Sequence, residues 1–237
     1  MHTINLQHIN VKLLLKDSEA LDHGRDLDPV IPVFHSWIQQ QSFDELLLDV
    51  ADYRHVLGGP GILLIGHEAD YSLDNTDNRL GVRYNRKASL DGDNQGRLAQ
   101  AALAALSAAQ RLQEDTRLDE KLYFNGRDIE IFVNDRLLAP NTAATRDVLS
   151  EVFQEFSDRL FGGTEYSLSF GSDPRRLLAV ALKASRAFTV GELLENLRSS
   201  LLPGTGDLTK HGPGRAVPDA VPDHHWREEL NAAQGAD

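Results

Sequence analysis

Residues Glu45 to Tyr71 read ELLLDVADYRHVLGGPGILLIGHEADY. Two aliphatic runs flank Gly58-Gly59-Pro60-Gly61, where glycine admits unusual backbone angles and proline withholds an amide from any ladder. The pattern predicts two strands, Glu45 to Val56 and Gly61 to Tyr71, joined by a turn into an antiparallel pair. If the four residues form the loop, Leu57 faces Ile62, and Asp52 faces His67 across the pair. Leu48, Val50, Val56, Leu63, Ile65 and Tyr71 then make an apolar face that Asp52 and His67 interrupt.

The pattern extends in both directions. Upstream, Ile9 to Lys16 alternates as a strand, with Ile9, Val11, Leu13 and Leu15 on one face. A polar loop follows, and Asp28-Pro29 opens a helix as N-cap and first-turn proline, with Val30, Phe34, Trp37 and Ile38 at helical spacing. Downstream, Arg79 to Ala88 reads as a third strand after an NTDN turn. Arg97 to Leu112 reads as a helix whose Ala101, Ala102, Ala105 and Ala109 let it lie close to a sheet.

Asn125-Gly126 predicts a hairpin turn, and Asp128 to Asn134 alternates as a strand. From about Ala143 to Phe161, Leu149, Val152, Phe153, Phe156 and Leu160 form a helical stripe, which Gly162-Gly163 ends. Strands are expected at Glu165 to Phe170 and Arg175 to Ser185. Thr189 and Glu192 have capping-box spacing, and Phe188 with Leu193 that of a hydrophobic staple, ahead of a helix ending near Leu202.

Two words recur. Tyr71-Ser72-Leu73 returns as Tyr166-Ser167-Leu168, and DNRLGVRYNRKAS (Asp77 to Ser89) resembles DPRRLLAVALKAS (Asp173 to Ser185). With the shared element order, this predicts an α+β protein of two pseudo-repeated halves, residues 1–118 and 119–202. Each half is mainly antiparallel sheet with helices covering one face. Residues 203–237 are rich in glycine and proline and read as an extended tail.

The 237-residue chain is 41% hydrophobic and 25% charged, the composition of an ordinary globular protein large enough to bury a core. It has no cysteine, which excludes disulfides, thiolate metal sites and a cysteine nucleophile. A formal net charge of −12 disfavours nucleic acid and anionic membrane surfaces as partners. No apolar run approaches the roughly 18 residues of a membrane helix, and the N-terminus lacks the pattern of a secretory signal. The expectation is a cytoplasmic protein without membrane insertion.

The chemistry-bearing residues gather after the ILLI run. His67 with Asp52 or Glu68 is the candidate general-base pair, since a carboxylate beside an imidazole orients it. Arg83, Arg86 and Lys87 are the candidate ligand-binding cations for phosphate or carboxylate, with Asp74, Asp77 and Asp91 as alternative partners. His55, His67 and Asp70 are weak metal candidates, because their spacing matches no ligand signature. In the tail, His224, His225 and Trp226 could anchor a partner. No phosphate loop, dinucleotide fingerprint or nucleophile elbow is present, and no cofactor is named by any motif. The leading expectation is a non-catalytic accessory or assembly protein, or a subunit of a larger complex, acting on a protein partner or as a homo-oligomer. The alternative is a small-molecule-binding protein or acid–base hydrolase centred on His67.

Overall fold

The computed structural model describes residues 4–16, 27–56, 59–118 and 122–201. Strand β1 (Ile9–Leu15) is followed by helix α1 (Val30–Gln39), which starts one residue later than the Asp28-Pro29 signal suggests. Four strands come next: β2 (Leu47–Asp52), β3 (Ile62–Gly66), β4 (Ala69–Asp74) and β5 (Gly81–Arg86). Helix α2 (Asn94–Glu114), strand β6 (Phe124–Val133), helix α3 (Ala143–Leu160), strands β7 (Tyr166–Phe170) and β8 (Leu178–Ala184), and helix α4 (Val190–Leu201) complete the order. The strands form one antiparallel sheet in the order β2-β3-β4-β5-β1-β6-β8-β7. The described residues, all within 4–201, pack as one compact unit.

Alternation sets the two faces. Val11, Leu13, Tyr71, Leu73, Val82, Tyr84, Ile129, Ile131, Val180 and Leu182 point to one side, where they share a core with all four helices. Helix α2 lies over β1 and β5, α1 over β2 and β3, α3 over β7, and α4 over β6. Ala101, Ala105, Ala108 and Ala109 are fully buried, and this small-residue stripe seats α2 against the sheet. Local signals place the helix starts: Asp93 accepts from the Gly96 amide at 2.7 Å, and Glu192 and Thr189 exchange the expected capping-box bonds at 2.7 and 3.1 Å.

The opening hairpin differs from its expected register. β2 ends at Asp52, which faces Ile62 rather than His67. The connection is longer than four residues: the Tyr53 amide donates to the Gly61 carbonyl at 2.7 Å, and Gly61 takes φ 68°. The expected strand Gly61 to Tyr71 is two strands, broken at His67-Glu68 by a turn into β4. Four consecutive aliphatics carry no alternation, so they leave the choice of face open. In the fold Ile62 and Leu64 enter the core, while Leu63 and Ile65 are half-buried on the other face.

Asn125-Gly126 is not a hairpin turn. It lies inside β6, in an irregular stretch where the pairing with β1 steps from Leu13↔Ile129 to Leu15↔Phe124. The Asn125 side chain bonds Asp128 and accepts from the Arg127 amide, which holds the bulge. Gly126 is required by close approach, since a Cβ there would stand 2.1 Å from the Phe188 carbonyl oxygen. Gly126→Ala is therefore expected to cost about 1–3 kcal/mol in urea denaturation. A variant as stable as the parent would mean that the Phe188 backbone yields freely.

Candidate functional site

No described helix covers the second face of the sheet, yet its centre is neither exposed nor apolar. Alternation sends Asn10, Lys12 and Leu14 of β1 to this side, with Asp70, Ser72 and Asp74 of β4 and Arg83 and Asn85 of β5. β6 adds Glu130 and Phe132. The register stacks Ser72, Arg83, Lys12 and Glu130 in one row across four strands. Sequence alternation licenses a polar side chain at these positions but does not bury it. Here Lys12 is 2% exposed and Asp74 1%.

Lys12 Nζ donates to Asp74 Oδ1 at 2.5 Å and to the Thr76 carbonyl at 3.3 Å. Asp74 also accepts from the Thr76 amide and hydroxyl at 3.2 and 2.8 Å. Burial pushes the Lys12 pKa down, and the Asp74 charge works against that shift.

Strands β5 and β6 flank β1, about 10 Å apart. The Arg83 guanidinium lies 5.0 Å from the centre of the Phe132 ring, so these two side chains meet above β1. Beside them is a pocket of about 370 Å³, with Lys12, Asp74, Arg83, Glu130 and Phe132 on its sheet side. The segment 171–177 forms the opposite wall. Asn141 holds that wall by donating to the Asp173 carbonyl at 2.9 Å, and Arg136 by donating to the Arg175 carbonyl at 2.5 Å.

The charges of the pocket pair unevenly. Asp74 is taken by Lys12, Asp77 by Arg176 at 2.8 Å, Asp173 by Arg175 at 3.1 Å, and Glu130 by Arg79. Arg83 remains. Its nearest carboxylate oxygen, on Asp74, is 3.7 Å away, and it donates no hydrogen bond to a described residue. The contact with Phe132 uses none of the guanidinium's N–H donors.

The other sequence candidates lie elsewhere. Arg86 points to the helix side, where it donates to the Ala88 carbonyl and Glu68. Lys87 is engaged with the Gly66 carbonyl and Asp70 at 2.6 and 2.7 Å. Arg83, Arg86 and Lys87 therefore do not converge. Asp52 is chelated by Arg54 at 2.9 and 2.6 Å, which holds its carboxyl down at about 2. His67 and Glu68 occupy the exposed β3–β4 turn, and His55 lies in the loop after β2, stacked near Tyr53. Among the described residues no group of three or more His, Asp or Glu is placed to hold a metal ion. His224, His225 and Trp226 lie outside the described residues.

A second buried acid sits on the helix side. Glu45 accepts from the Tyr84 hydroxyl at 2.9 Å, and burial raises its pKa. It is walled off from the pocket by the sheet.

Sequence reading missed Lys12, Glu130, Phe132 and the 171–177 wall. The one available signal was Lys12 itself, a cation inside the aliphatic run INVKLLL. No family model, curated protein or solved structure compared with the chain matches it. Among the described residues no helix is long and apolar enough to cross a membrane.

The Lys12–Asp74 pair makes a direct prediction. Lys12→Met strands a buried carboxylate and is expected to cost about 3–5 kcal/mol. Lys12→Met with Asp74→Asn, which removes the charge but keeps an acceptor for Thr76, is expected to recover most of that loss in chemical denaturation. A double variant no more stable than the single one would overturn the pairing as the source of the cost.

Proposed function

We propose that this protein acts by binding, and that the pocket on the sheet face opposite the described helices holds a small anion through Arg83. The observation that carries this reading is the Arg83 guanidinium, whose ion pair with Asp74 is long, at 3.7 Å, and which donates no hydrogen bond to a described residue. Four pocket carboxylates each have a cation of their own, and Arg83 has none within hydrogen-bonding distance. A partly buried donor set without an acceptor is costly, and an anionic ligand supplies the missing acceptor. Pocket size and mixed lining suit a small molecule. His67 with Asp52 has less support as a catalytic pair, because they face different partners on separate ends of the hairpin.

The test is titration of the full chain with acetate, benzoate, inorganic phosphate and sulfate, read by NMR at the backbone amides of the pocket residues Lys12, Glu130, Phe132 and Ala179. At least one of these probes is expected to shift those signals saturably, and Arg83→Met to abolish the effect with unchanged folding. No saturable shift from any of the four would overturn the reading.

A second reading is the accessory or assembly protein, a subunit that meets a protein partner or its own copy. It is favoured by the edge strand β2, near which Leu46, Leu48, Tyr53 and Val56 are 61, 52, 40 and 44% exposed. Leu46→Lys with Leu48→Lys is then expected to release a co-purifying partner or split a homo-oligomer in light scattering. A parent protein that is monomeric and partner-free would end this reading.

The two-half organisation belongs with these proposals. Its support is positional: Tyr71-Ser72-Leu73 falls in β4 and Tyr166-Ser167-Leu168 in β7, while the longer matching words fall on β5 and β8. The first strands of the halves, β1 and β6, lie side by side, and each is flanked by the last strand of its own half. A cytoplasmic location is supported by the lack of cysteine.

A further inference from the structure

Resting on the anion-binding reading above, we infer that the ligand class is an organic monocarboxylate: a single carboxylate on an apolar body, rather than a phosphate or sulfate. Charge, shape and lining each point the same way.

The charge argument follows from the pairing. Lys12, Arg79, Arg83, Arg175 and Arg176 stand against Asp74, Asp77, Asp173 and Glu130, which leaves one cation in surplus; Arg83, whose ion pair is the long one to Asp74 at 3.7 Å, is the cation least engaged. A monoanion matches that surplus. A dianion adds one negative charge more than the surplus cation offsets, next to four carboxylates that repel it.

The shape argument concerns the guanidinium. The Arg83 guanidinium, 5.0 Å from the centre of the Phe132 ring, is a planar, two-pronged donor. A planar carboxylate matches that fork with two parallel hydrogen bonds. Lys12 is 2% exposed, with Asp74 and Thr76 already accepting from its ammonium, so it offers little to a tetrahedral anion that needs donors from several directions.

The lining argument concerns the rest of the ligand. Phe132, Leu177 and Ala179 also line the pocket, and its volume of about 370 Å³ exceeds what a bare oxyanion would fill. An apolar body gains from burial there, at roughly 25 cal/mol per Å² of surface removed from water.

The experiment compares benzoate, hexanoate, acetate and inorganic phosphate on the full-length protein by calorimetry at fixed ionic strength. Arg83→Met keeps the stem over Phe132, and Arg83→Lys keeps the charge but removes the fork; circular dichroism confirms that both fold. The expected result is that benzoate or hexanoate binds at least about tenfold more tightly than phosphate and than acetate. Both variants are expected to lose about tenfold or more of that affinity, the fold-change that follows from losing a charge-assisted bidentate contact. Phosphate binding through Arg83 as tightly as the carboxylates would overturn the ligand class and leave anion binding standing. Acetate binding as tightly as benzoate and hexanoate would overturn the apolar body. No binding of any probe at Arg83 would overturn both proposals. Affinity unchanged in Arg83→Lys would overturn the fork and with it the preference for a planar acid.

Discussion

The buried Lys12–Asp74 pair is the constraint around which the sheet face opposite the described helices is arranged. β1 is an inner strand of an eight-stranded sheet, and it joins the four strands on one side to the three on the other. A lysine in its middle must point somewhere, and alternation denies it the helix side, where Val11 and Leu13 already sit. Its ammonium therefore lies on the opposite face under little solvent, which is tolerable only with a carboxylate at hand. Asp74 meets that need from the end of β4, and the same carboxylate fixes the Thr76 turn. Turn, strand end and central strand are thereby tied together by one charge pair.

That arrangement has a consequence for Arg83. It stands directly opposite Lys12 on β5, but Asp74 already serves Lys12 and Thr76. Arg83, which lines the pocket, therefore extends across β1 to within 5.0 Å of the Phe132 ring centre. A guanidinium is less strongly hydrated than an ammonium and stacks on aromatic surface, so it tolerates this position better than lysine would. The result is a donor group positioned by the Phe132 contact and a long ion pair to Asp74 at 3.7 Å, with no hydrogen bond to a described residue. The binding proposal and the carboxylate preference both follow from this division of partners.

Much of the framework was legible because it depends on local rules. The capping box at Thr189 and Glu192, the alanine stripe of α2 and the glycine stop after α3 are all set by neighbours a few residues apart. The errors fall where a local signal has two outcomes. The ILLI run fits either face of a sheet, and the face was decided by packing of Ile62 and Leu64 under the helices. Asn-Gly fits a hairpin turn or a bulge, and the Phe188 backbone lying against Gly126 made it a bulge. Of the three candidate cations after β4, consecutive strand positions send Arg86 and Lys87 to opposite sides, so closeness in sequence meant separation in space.

The sequence by itself determined an antiparallel α+β protein and the identity of most strands and helices. Period, capping and turn chemistry act over short spans, and one chain suffices to read them. Tertiary structure alone decided which carboxylate each cation meets. Lys12 and Asp74 are 62 residues apart, and Arg83 and Phe132 come from strands on either side of β1. Strand order sets which charges share a row, and strand order depends on long-range pairing that no local pattern encodes. Whether a charged residue is satisfied or left with open donors is therefore a property of the fold, and the candidate site is made of that difference.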